Sequence, residues 1–169
     1  VMKYPIGIQS FDQIIEDGYV YVDKTDLVYK LVKEGKIYFL SRPRRFGKSL
    51  LISTLKSYFQ GKKDLFKGLA IDKLETEWAE YPVFHISFGA SNFTKHGTLD
   101  ELLCKYMSDF EKEYQIDTGL QDYGLRFRNI LKEARKKTGR RAVVLVDEYD
   151  KPMLDVLELD YYVTDSEGN

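Results

Sequence analysis

One cysteine, two histidines and no long apolar run set the outer limits of what this 169-residue chain does. The single Cys104 forms no internal disulfide and excludes a zinc site built on cysteine ligands; it fits a reducing, cytoplasmic setting. His85 stands in an apolar stretch and His96 in a polar one, and neither has a Cys or His neighbour at metal-ligand spacing. No apolar run approaches the roughly 18–20 residues needed to span a bilayer, and no signal-peptide core is visible, so no membrane partner is expected. Charge of one sign is also missing: 26 Lys and Arg against 27 Asp and Glu leave a net −1. That balance removes any whole-molecule attraction to nucleic acid, while leaving room for a local basic patch.

What is present describes a soluble folded domain, with 43% hydrophobic and 31% charged residues. Phe11, Ile14 and Ile15 predict a small first helix between turn formers. Residues 19–22, Tyr-Val-Tyr-Val, favour a strand ending at Asp23. Leu27, Val28, Leu31 and Val32 recur at helical spacing, so residues 24–34 read as a helix with Asp23 as its cap and Gly35 as its stop. Residues 37–40 form a short apolar strand, and Leu51, Ile52, Leu55, Tyr58 and Phe59 a helical face stopped by Gly61. Residues 61–80 look irregular, pinned by Leu65, Phe66, Leu69 and Ile71. A strand follows at 83–88, then a helix opened by the capping-box pair Thr98 and Glu101. Another helix is expected at 123–137, stopping at Gly139, and a buried strand at 142–146. Strands alternating with helices indicate an α/β domain with a mainly parallel sheet.

The strongest chemical signal lies between the strand at 37–40 and the helix after Gly47-Lys48-Ser49. A helix N-terminus offers amide hydrogens and partial positive charge, which suit a phosphate. Gly47 lets the backbone approach, Lys48 reaches the β- and γ-phosphates, and Ser49 offers its hydroxyl to magnesium. The usual first glycine of a P-loop is replaced by Arg42. The competing reading is a basic turn, with Arg42, Arg44, Arg45 and Lys48 as solvated charges. Independent support comes from Asp147-Glu148, an acidic pair at the end of an apolar strand, where ligands of open α/β sheets collect. Asp147 is expected to share magnesium with Ser49 through water, and Glu148 to act on the attacking water. The basic cluster Lys136, Lys137, Arg140 and Arg141 reads first as a solvated helix end rather than a DNA contact.

The strings Pro5-Ile6-Gly7-Ile8 with Phe11, Tyr21-Val22-Asp23-Lys24-Thr25, Phe39 to Leu50, Leu65 to Leu69, and Val146 to Pro152 together resemble the bacterial AAA-ATPase-like domain family. Within that family arginine is the expected residue at position 42. The resemblance implies ATP and magnesium as cofactors and a P-loop NTPase-type three-layer sandwich. It implies a nucleotide-binding stretch of Arg42, Pro43, Arg44, Arg45, Phe46, Gly47, Lys48, Ser49 and Leu50. Asp23 lies where related ATPases place a charged residue near adenine, against the plainer reading of helix capping. Residues 1–35 then read as a lead-in segment and 36–169 as a partial ATPase core ending after the Asp147 strand. Family members continue into further ATPase strands and a nuclease-like C-terminal domain, so nucleic acid is an expected partner of the full-length protein. The expected function is ATP binding, with hydrolysis in the complete protein and feeble turnover in this part. The alternative is a degenerate nucleotide-binding or scaffold module without turnover.

Overall fold

The computed structural model describes residues 2–34, 47–88, 98–117 and 119–147. They group into two compact units that divide between Glu80 and Tyr81. No helix among the described residues is long and apolar enough to cross a membrane.

The N-terminal unit contains helices α1 (Phe11–Glu16), α2 (Thr25–Glu34) and α3 (Lys48–Phe59), followed by 3-10 turns at Lys63–Phe66 and Ala70–Lys73. Its core is small and aromatic: Phe11, Tyr58, Phe66 and Ile71 are buried, with Leu50, Tyr21, Tyr29 and Trp78 packed against them. Phe11 and Phe66 stack with ring centres 4.7 Å apart, and Phe66 and Trp78 lie 5.2 Å apart. Leu65, Phe66, Leu69 and Ile71 thus pin an irregular stretch to the core, as their spacing predicts. Gly61 ends the α3 segment at φ 69°, and a Cβ added there would sit 3.0 Å from the Trp78 carbonyl oxygen. Both the left-handed backbone and the close approach call for glycine.

One expectation changes here. Residues 19–22 do not form a ladder; the segment makes one isolated bridge, Lys3 with Tyr19, with the Val20 N–H donating to the Lys3 carbonyl at 2.8 Å. Strand-favouring residues report an extended, half-buried backbone, and a ladder also needs a neighbouring strand. The compact unit of the expected lead-in segment runs on to Glu80. Tyr58 of α3 belongs to the same core as Phe11 of α1, so that segment and the helix after the candidate phosphate loop share one unit. The strand expected at 37–40 lies outside the described residues.

The second unit pairs β1 (Val83–Ser87) with β2 (Val143–Asp147) in parallel, in register from Val83 opposite Val143 to Ser87 opposite Asp147. Helices α4 (Thr98–Glu113) and α5 (Tyr123–Thr138) cover one face. Phe84, Ile86 and Phe88 meet Leu103, Met107 and Phe110 of α4 and Phe127, Ile130 and Ala134 of α5, with Val144 and Val146 packed alongside. The alternation of a strand places His85, Ser87, Leu145 and Asp147 on the opposite face. Asp122 caps α5 by accepting the Leu125 N–H at 2.9 Å, and Gly139 ends it. A bidentate pair joins the two helices: Arg126 Nε donates to Glu111 Oε1 at 3.0 Å and Nη2 to Oε2 at 2.8 Å.

Candidate functional site

Gly47 takes the left-handed conformation, φ 76° and ψ 14°, and α3 begins at the next residue. A side chain there would meet no atom within 4 Å, so the backbone conformation, not crowding, demands glycine. Lys48, Ser49 and Leu50 make up the first turn, which contains no acidic residue and takes no side-chain cap from Gly47. The helix therefore presents its positive end with nothing negative built into that turn. The Leu50 side chain packs on the Phe11 and Tyr58 core.

The placement of α3 is fixed by polar contacts as well as by packing. Ser53 Oγ accepts the Phe11 N–H at 2.8 Å, tying α3 to the start of α1. Thr54 is buried and returns its hydroxyl to the Leu50 carbonyl at 2.7 Å. At the far end, the Tyr58 hydroxyl donates to the buried Glu75 carboxylate. Glu75 also accepts the Thr76 and Glu77 N–H groups at 3.0 and 3.1 Å and pairs with the Lys33 ammonium at 3.3 Å. Burial opposes ionisation of Glu75. The hydrogen bonds from Tyr58, the Glu77 N–H and Lys33 outweigh it, holding the carboxyl below the ordinary glutamate range.

Asp23 has both carboxylate oxygens engaged. Oδ1 accepts the Thr25 N–H at 2.9 Å and the Thr25 hydroxyl at 2.7 Å, while Oδ2 accepts the Ala70 N–H at 2.7 Å. The buried Thr25 in turn accepts the Ile71 N–H at 3.1 Å. Desolvation raises the Asp23 carboxyl, but these donors bring it below the usual aspartate value. The Tyr21-to-Thr25 string is therefore a clasp that joins the start of α2 to the turn at Ala70–Lys73.

Asp147 is the last residue of β2, at the carboxyl end of the parallel pair, and its carbonyl accepts the Phe88 N–H at 3.1 Å. On the edge of β1 away from β2, the Tyr106 hydroxyl accepts the Ser87 N–H at 3.1 Å and donates to the Ser87 carbonyl at 3.2 Å. At Ser87 that edge is met by a side chain, and among the described residues no further strand pairs with β1. Gly47, Lys48 and Ser49 come together in one turn of the N-terminal unit, and Asp147 belongs to the other unit. Arg42, Pro43, Arg44, Arg45, Phe46 and Glu148 lie outside the described residues. Periodicity did not reveal Ser53 or Glu75, because each acts through polar atoms rather than through a repeating face; it placed Tyr106 on the apolar face of its helix but not the role of its hydroxyl.

Among curated proteins, the chain is 43% identical over 157 residues to an "Uncharacterized protein in vnfD 5'region" of Azotobacter chroococcum mcd 1. The match covers 92% of this chain, which spans 30% of the length of that relative. No solved structure matches the chain. A family model described as "Predicted AAA-ATPase" matches residues 5–168, nearly the whole sequence. The chain belongs to this AAA-ATPase-like family.

Proposed function

We propose that this chain binds ATP with magnesium at the start of α3 and forms the nucleotide-binding part of a longer, cytoplasmic P-loop ATPase. One observation carries the reading: a left-handed Gly47 leads directly into a helix whose first turn holds Lys48 and Ser49 without an acid. The donor set suits the ligand, since amide N–H groups and an ammonium bind phosphate oxygens. A hydroxyl and a carboxylate, Ser49 and Asp147, are hard oxygen ligands of the kind magnesium takes, with water completing its shell. When bound, the ion neutralises charge on the β- and γ-phosphates. Lys48 would set its ammonium against the same oxygens, and Arg42 to Phe46 would wrap the phosphates. Glu148 would accept a proton from the attacking water. Asp23, already held by three donors, would act here by ordering α2 rather than by direct contact with adenine.

The parallel pairing of β1 with β2 supports an α/β reading, and we take the complete protein to be a three-layer P-loop sandwich. A nuclease-like domain and a nucleic-acid partner belong to the longer polypeptide in this reading. Hydrolysis is tested there by comparing Glu148→Gln with its parent for phosphate release and ATP affinity. A carboxylate can take the proton and an amide of the same shape cannot, so turnover should fall steeply while affinity stays near normal. Parental turnover in the mutant would remove Glu148 as the base. A parent that binds ATP without turnover would make the domain a binding or scaffold module.

A further inference from the structure

Charge is unevenly spread over this near-neutral chain. Residues 123–141 hold eight Lys and Arg against one Glu, a local +7, so the other 150 residues carry −8 of the overall −1. Some of these cations have structural work. Arg126 pairs with Glu111, and Lys137 donates to the carbonyls of Tyr114 and Gln115 after the end of α4. Arg140 lies over the Tyr81 ring at 5.6 Å, and Lys136 pairs with Glu133 while staying exposed. Lys132, Arg135 and Arg141 are exposed and have no partner among the described residues. Positions 132, 135 and 136 are helical neighbours on one face, and Arg140 and Arg141 extend the cluster past Gly139.

Complementing the helix dipole explains only part of this. Arg135, Lys136 and Lys137 occupy the last turn of α5, where cations are favoured. Lys132 stands before that turn, and Arg140 and Arg141 lie beyond the helix. Nor does the cluster stand beside Asp147, the residue proposed to hold magnesium. It sits by the start of β2, whereas Asp147 ends that strand, about 13 Å away at roughly 3.3 Å per residue.

We propose that Lys132, Arg135, Lys136, Arg140 and Arg141 form a binding surface for the phosphate backbone of a nucleic acid. Backbone charges recur every few ångströms along a strand, so five cations over about one helical turn and the following loop match several phosphates. Three of the five are arginines, whose planar fork grips phosphate oxygens in pairs. A membrane fits less well, because the apolar side of α5 (Phe127, Ile130 and Ala134) is enclosed in the core and cannot enter a bilayer. The surface reads no base edges, so binding should be independent of sequence and steeply dependent on salt.

The test uses the full chain and a fluorescein-labelled duplex of mixed sequence, with its single strand and phosphatidylserine vesicles alongside. Polarisation at low salt should give binding in the range of roughly 10⁻⁴–10⁻⁶ M or tighter for either nucleic acid. Lys132→Gln/Arg135→Gln/Arg141→Gln should weaken it about tenfold or more and lower the salt slope by about two to three, one per lost phosphate contact. Lys105→Gln/Lys112→Gln on α4 should leave affinity within about twofold and the slope unchanged. All five positions are exposed, and a matching circular dichroism spectrum checks the fold of each variant. No binding by the parent, equal weakening by both sets, or binding to vesicles alone would overturn the proposal.

Discussion

The two units reach a stable arrangement by different means. The second is a parallel pair of strands under two amphipathic helices, and its core follows repeating apolar positions: Phe84 and Ile86 on β1, Leu103 and Met107 on α4, Phe127, Ile130 and Ala134 on α5. The N-terminal unit has short helices and two 3-10 turns around a cluster of Phe11, Tyr58, Phe66 and Ile71, and long-range polar contacts tie the pieces together. Asp23 and Thr25 hold α2 to Ala70 and Ile71, Ser53 holds α3 to α1, and Glu75 gathers Tyr58, Lys33 and two backbone amides. Periodic burial makes a scaffold; point contacts fix where a particular helix end must stand. The unit that carries Gly47 and Lys48 is the one in which such point contacts place a helix.

The comparison is tested first through its cores. Phe84→Ala in one unit and Phe66→Ala in the other should each cost about 3–5 kcal/mol, since both rings are fully enclosed. Chemical denaturation measures both, and Trp78, the single tryptophan, reports directly on the Phe66 side. A much smaller loss for Phe66→Ala would mean that polar ties alone sustain the N-terminal unit.

Removing one tie should cost less. Glu75→Ala leaves the Tyr58 hydroxyl and two amides without their acceptor, a loss of about 1–3 kcal/mol. The same carboxylate sets a pH dependence. Its folded pKa lies below its unfolded value, so its contribution is complete above the ordinary glutamate pKa of about 4.3. It is lost as pH falls further, through the folded value. Asp12 and Asp23 in the same unit are shifted the same way. Trp78 fluorescence followed down in pH should therefore show acid loosening of the N-terminal unit, with Glu75→Ala flattening the dependence. A parental curve without that acid transition, or a mutant with the parental slope, would count against the tie.

Gly61→Ala should have the smallest effect of the series, about 1–2 kcal/mol from the left-handed backbone, with the Trp78 carbonyl forced to shift. Trp78, in the segment that approaches Gly61, itself stands at φ 44°. An unchanged melting temperature in Gly61→Ala would show that the turn relaxes freely.

Repeating faces made much of the fold legible in the sequence. The expected helix at 24–34 is Thr25–Glu34, that at 123–137 is Tyr123–Thr138, and the strand at 142–146 is Val143–Asp147. Residues 19–22 were misread because Tyr and Val favour extended backbone whether or not a partner strand exists. The division after Glu80 was not legible either, since Tyr58, Phe66 and Ile71 join Phe11 across stretches with no common period. For the candidate site, the helix start at Gly-Lys-Ser could be read directly, because it follows from adjacent residues and the apolar face after them. The double engagement of Asp23 could not, since Ala70 lies 47 positions away.

The central claim is nucleotide binding at the start of α3, and calorimetric titration of magnesium-ATP into the parent chain and Lys48→Ala tests it most directly. Removing a lysine from a helix start should change stability by no more than about 0.5 kcal/mol, so the two proteins should melt alike. The parent should give saturable heat and the mutant none, because the ammonium proposed to meet the β- and γ-phosphates is gone. Equal affinity in the two proteins would contradict the account.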